Sequence, residues 1–253
     1  MTKRNILAGT ALALALAAPA AQAQVTINWW HAMGGELGEL LEGVAEGFNA
    51  TQSDYKVVPS FRGTYAETMT GAIAAFRARQ QPHILQVFEV GTGTMMAAEG
   101  AIYPIYQLMA DHDVPFDPEA YLSTVVSYYT DPNGNMLSFP FNSSTPIMYY
   151  NRDAFAKAGL DADTPPATWA EMVEASRAIV SSGAAPCGFT TSWPSWVMLE
   201  NFSAWHNLPL GTKANGFEGF DTEFVFNNEH VTRHWDNLKE WQAEYLFTWC
   251  CSH

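Results

Sequence analysis

His230 and His234 stand four residues apart, so any helix that carries them puts both on one face. The spacing suits zinc, but a zinc protease needs a glutamate directly after the first histidine, and the sequence has Val231 there. We therefore expect His234 to pack and His230 to face solvent. The run Asp111, His112, Asp113 reads as a solvated loop rather than a metal site. Gly91 and Gly93 of EVGTGTMM match the first two positions of a dinucleotide fingerprint, but Met96 holds the third, where a side chain blocks close helix–strand packing. No GxSxG, Walker A, CxxC or HExxH pattern occurs. Carboxylates are abundant, but abundance is not the pairing that glycoside hydrolysis needs. These residues call for no catalytic group, no metal and no cofactor.

Flat aromatic surface and hydroxyls are concentrated instead. Trp193 and Trp196 stand three apart, with Pro194 placed to begin a helix, so both fall on one side of its first turn. Such a pair can wall a small polyol, ring faces stacking on C–H surface while the indole N–H groups hydrogen-bond. Packing into a core is the competing reading for the pair; Phe202 and Trp205 further along read as core. FNSSTP groups Asn142, Ser143, Ser144 and Thr145, which suit a polar ligand or a capped turn. Glu89 ends a strand that reads as buried. Ligands of parallel sheets sit outside the carboxyl ends of strands, where a carboxylate accepts hydrogen bonds from hydroxyls. In TINWWHAMGG, Trp29 should pack and Trp30 and His31 should face or flank a cleft, because successive strand residues point to opposite faces.

The elements that must position these residues alternate in kind. VTINWW, YKVVPSF and HILQVFEV read as strands, the last nearly all apolar and so buried on both faces. Between them, GELGELLEGVAEGFN places Leu37, Leu40, Leu41, Val44, Ala45 and Phe48 at helical spacing, and TYAETMTGAIAAFRAR opens with the capping box Thr64 and Glu67. This order predicts an α/β fold with a parallel sheet. Short helices follow, then a turn at DPNG and extended chain to Asn151. A second capping box, Thr168 and Glu171, opens a later helix. We place a lobe boundary near Thr145–Asn151. A last helix carries Val231, His234, Trp235, Leu238 and Trp241 on one side, and LFTWCCSH behind it should expose apolar surface that a finished domain covers. We expect a truncated or frame-shifted product.

The formal net charge is −14. This disfavours nucleic acid and anionic membrane as partners but not one small anion, which needs only a local site. Lys3 and Arg4, an apolar run too short to span a bilayer and the small residues Ala21 and Ala23 read as a signal peptide cleaved after Ala23, which sends the chain to the periplasm. Cleavage removes two basic residues and leaves the mature chain still more acidic. A hydrophobic content of 48% suffices for a core. Cys187, Cys250 and Cys251 are odd in number, and adjacent cysteines pair poorly.

WWHAMGGELGELLEGVAEGFN, AAFRARQQPHILQVFEVGTGTMMA, PFNSSTPIMYYNRDAFAKAGLD and WPSWVMLENFSAWHNLP together resemble the extracellular solute-binding family that includes maltose-binding protein, in its branch that binds sn-glycerol 3-phosphate for ABC importers. The resemblance runs from about Val25 to about Tyr245. It implies a type II periplasmic binding protein fold, two lobes with parallel-type sheets flanked by helices, closing by hinge motion, the second lobe incomplete. The chain then divides into a signal peptide (1–23), a first lobe (24–145), a partial second lobe (146–245) and an aberrant tail (246–253). The resemblance implies ligand contacts from Tyr65, Glu89, Ser144, Trp193 and Trp196; Tyr65 comes from it alone. The implied partners are sn-glycerol 3-phosphate or a related glycerophosphodiester and ABC permease subunits at the inner membrane; the chain should be a monomer and not an enzyme. Family members continue beyond this end, where their phosphate-holding arginine lies, and the candidate contacts named above include no basic residue. Aromatic walls also suit an oligosaccharide receptor of the same fold. An exported glycosidase or metal hydrolase, and an inactive remnant, are the other readings.

Overall fold

β-Branched and aromatic residues put VTINWWH in an extended conformation, and this segment is the centre of the first sheet. The computed structural model describes residues 23–88, 91–98, 100–219 and 221–249. The predicted signal peptide, Glu89, Cys250 and Cys251 lie outside the described residues, apart from Ala23. Contacts gather the chain into two units that part between Thr92 and Gly93, earlier than the lobe boundary expected near Thr145–Asn151.

In the first unit β1 (Val25–His31) pairs in parallel with β2 (Tyr55–Phe61) and β3 (Ile84–Leu85), in the order β2-β1-β3. α1 (Glu36–Asn49) links β1 to β2, and α2 (Tyr65–Arg77) links β2 to β3. The two links run in opposite directions along the sheet, so right-handed crossovers place the helices on opposite faces. α2 opens with the predicted capping box. Gly35, at φ 58°, makes the turn into α1. α1 buries Leu41 and Ala45, while Leu37, Leu40, Val44 and Phe48 of the same apolar arc stay exposed, because the strands cover only one side of it. The outer edge of β2 is blunted. Asn49 Oδ1 accepts from the Val57 N–H at 2.7 Å and its Nδ2 donates to the Val57 carbonyl at 2.8 Å. Gln52 does the same for Tyr55 at 2.7 and 2.9 Å, and Pro59 has no N–H to offer. β3 is shorter than predicted, and Ile84 is exposed rather than buried on both faces, because no described strand lies beyond it.

α3 (Thr92–Ala97) spans the join between the units. In the second unit, α4 (Ile105–Asp111) is tied to the segment after the predicted DPNG turn by N–H donation from Ile105 and Tyr106 to Leu137 and Met136. α5 (Ser123–Val126) and the extended chain 138–150 follow. α6 (Arg152–Lys157) and α7 (Trp169–Ser181) pack through Phe155, Ala175 and Ile179. The Thr168–Glu171 box caps α7 as expected. Thr168→Ala should lower stability by about 1 kcal/mol, read from the urea midpoint; an unchanged midpoint would contradict the role of this cap.

β4 (Phe189–Thr191) leads through a π-helix (Ser195–Asn201) to α8 (Phe202–Trp205), α9 (Thr212–Asn215) and α10 (Glu229–Ala243), and β5 (Phe247–Trp249) returns to pair with β4 in parallel. Met198, Leu238 and Phe247 form the core here, with Phe189, Trp235, Trp241 and Trp249 against it. Leu246 and Phe247 therefore depart from the exposed tail that was expected. Both are buried, since pairing with β4 draws them under α10. Gly188 makes this closure possible. A Cβ there would meet Ser176 Cβ at 2.2 Å and the Leu246 carbonyl at 2.7 Å.

Candidate ligand-binding site

The strand order of the first unit turns at β1, and parallel sheets hold ligands at the carboxyl ends of the strands where the order turns. Gln86 ties the ends of β1 and β3 together, its Oε1 accepting from the Ala32 N–H at 2.9 Å. His31 does not face a cleft as expected. It is buried beside Trp29 and Phe61, and its Nδ1 accepts from the Met33 N–H. Burial lowers its pKa and so favours the neutral ring. Trp30 is half-buried beneath Arg62, whose guanidinium carbon lies 4.1 Å from the ring centre. Tyr65 is the first residue of α2, and its ring stacks on Phe88 with centroids 5.3 Å apart and planes 11° from parallel. That stack holds the phenol beside Phe88, three residues past the end of β3.

In the second unit Trp193 and Trp196 stand edge to face, with ring centroids 6.0 Å apart and planes at 73°. The backbone beneath them is unusual. Trp193 sits in the left-handed region at φ 48°, and the next turns are π-helical. Both features are uncommon and costly for a bulky residue, and both recur at binding sites. Asn201 Nδ2 donates to the Trp196 carbonyl at 2.7 Å and steadies the wide turn. Trp193 is 60% exposed and Trp196 is half-buried, so the pair is not core. Trp205, expected in the core, is instead 85% exposed. Ser144 lies exposed in the extended chain, away from regular structure. Of the five candidates, then, the structure joins Trp193 to Trp196; Tyr65 belongs to the first unit, Ser144 stands on its own stretch, and Glu89 lies outside the described residues.

Arg62 was missed among the candidates because its link to Trp30 depends on strand register, which places Trp30 opposite Ser60 and His31 opposite Phe61. The i, i+4 histidines resolve as predicted: His230 is exposed and His234 is buried. The His234 ring stacks on Phe202 at 3.9 Å and faces Trp169 at 5.3 Å. Burial, followed by repulsion from His206, pushes its pKa down to about 4. Among the described residues no cluster of His, Cys, Asp or Glu is arranged to hold a metal ion, and no helix is long and apolar enough to cross a membrane.

Residues 34–245 match the profile of a family described as bacterial extracellular solute-binding protein. The sn-glycerol-3-phosphate-binding periplasmic protein UgpB of Rhizobium meliloti is 51% identical over 220 residues, which make up 87% of this chain and 51% of that one. The protein of the same name from Brucella abortus is 49% identical over 218 residues, 86% of this chain and 50% of that one. The chain thus spans about half the length of the curated relatives it matches. Among solved structures, UgpB from Mycobacterium tuberculosis in complex with glycerophosphocholine superposes with a TM-score of 0.73 at 18% identity, over 89% of this chain and 57% of that one. A periplasmic oligogalacturonide binding protein from Yersinia enterocolitica does so with a TM-score of 0.69 at 14% identity, over 89% and 53%. At such identities the likeness shows the fold alone: an α/β periplasmic binding architecture.

Proposed function

We propose, since this chain belongs to the bacterial extracellular solute-binding protein family, that it is a periplasmic receptor that takes sn-glycerol 3-phosphate or a glycerophosphodiester to the permease of an ABC importer and catalyses no reaction. The observation that carries this reading is the 51% identity to a relative named for that ligand. The geometry supports it. An exposed pair of tryptophans on a strained turn suits the C–H faces of glycerol. In this reading residues 24–145 form the first lobe and 146–245 part of the second, the signal peptide is removed after Ala23, and the receptor acts as a monomer. Tyr65 hydrogen-bonds the ligand, Glu89 accepts from the glycerol hydroxyls away from the phosphate, Ser144 adds a hydroxyl, and Trp193 with Trp196 forms the wall.

Equilibrium dialysis with sn-glycerol 3-phosphate tests the assignment. The chain should bind it, and Trp193→Ala and Trp196→Ala should each weaken binding by about three- to tenfold, the worth of one stacked ring. Equal affinity in the chain and both variants would remove the wall from the site.

A further inference from the structure

We propose that Arg62, laid over Trp30, is a cationic subsite for the phosphoryl end of an anionic ligand. Only the identity of that ligand as a glycerol phosphate rests on the reading above.

The position of Arg62 is built rather than incidental. β2 ends at Phe61, and the next amide, that of Arg62, donates to the His31 carbonyl at 2.9 Å, which fixes its backbone at the carboxyl end of the sheet. From there the guanidinium spreads over the Trp30 ring at 4.1 Å. Stacking uses the flat face of the cation and leaves its N–H donors, which lie in the plane, free to meet a second partner. An indole beneath it also limits the rotamer freedom that a long side chain otherwise loses on binding. The ion pairs of the described residues engage Arg152, Arg177, Lys213 and Arg233, and Arg62 is in none of them. Glu67, the acidic residue near it in sequence, is committed elsewhere, its Oε2 accepting from the Thr64 N–H at 2.7 Å.

The result is an exposed, oriented, uncompensated fork three residues before Tyr65. That is the geometry that takes two oxygens of a phosphate monoester or diester at once. In a chain of net charge −14, a locally placed cation offsets the unfavourable field that an anion meets. The aromatic surface at the end of β1 thereby has a reason: Trp30 is the platform for the guanidinium.

The test titrates the full chain, Arg62→Gln and Arg62→Lys with inorganic phosphate and with sn-glycerol 3-phosphate at low salt, following tryptophan fluorescence. Circular dichroism melts accompany each variant. Both anions should change the emission of the unsubstituted chain, with glycerol 3-phosphate binding more tightly. Arg62→Gln should weaken both by about tenfold or more, the effect of losing a charge-assisted pair. Arg62→Lys keeps the charge and loses the fork, so it should fall between; it decides the matter if the glutamine variant melts without cooperativity. If both variants bind like the unsubstituted chain, the subsite is wrong and the receptor assignment stands. If phosphate binds through Arg62 and glycerol 3-phosphate binds no better, the subsite stands and that assignment fails. If neither anion binds, both are overturned.

Discussion

Replacing Phe247 by alanine should cost about 3–5 kcal/mol, the range for deleting a buried aromatic ring. Phe247 is 1% exposed. Its ring lies 4.9 Å from Phe189, its register partner on β4, and 4.6 Å from Trp249. Met198 and Leu238 close the other sides of the cluster. These neighbours are held by the β4–β5 pairing and by α10, so they cannot collapse into the space the ring leaves. A loss of this size is a large part of the stability of an ordinary domain. Urea unfolding followed through tryptophan emission should therefore show a much lower midpoint. A loss below about 1 kcal/mol would mean that the last strand contributes little to the fold.

Acid should destabilise the chain through His234. Its folded pKa is about 4, below the ordinary value of 6.5, because burial between Phe202 and Trp169 excludes the charged form and His206 repels it. The folded state therefore binds fewer protons than the unfolded chain between these values, and stability rises with pH across that window. The contribution is complete above about pH 6.5 and is lost as pH falls towards 4, about 3 kcal/mol in all. His31, whose pKa is also lowered by burial, adds in the same direction. Carboxylates held low by hydrogen bonds, such as Glu171 and Asp161, lose their contribution only below their own unfolded range, at more acid pH. Urea midpoints at about pH 7 and about pH 4.5 separate these effects. The fall between them should be much smaller in His234→Leu than in the unsubstituted chain, and an equal fall would remove His234 as its cause.

The local parts of the fold were legible in the sequence. Period-two and period-3.6 patterns located β1, α1, β2 and α2, and both threonine–glutamate boxes cap the helices they were expected to open. Features set by distant partners were not legible. Phe247 looked exposed because its strand partner lies 58 positions earlier, at Phe189. Trp205 looked buried because aromatic residues usually are, yet it stands exposed on α8. The same division runs through the site. The spacing of Trp193 and Trp196 was enough to pair them, but not to show the left-handed backbone at Trp193. Arg62 meets Trp30 only because β1 and β2 run in register to their ends, and His31 packs because Phe61 arrives beside it.

The most direct test of the account is calorimetric titration of the purified chain with sn-glycerol 3-phosphate and, separately, with maltotriose. A saturable heat with the first and none with the second is the predicted result. A saturable heat with the sugar and none with the phosphate ester would contradict it and assign these aromatic walls to an oligosaccharide.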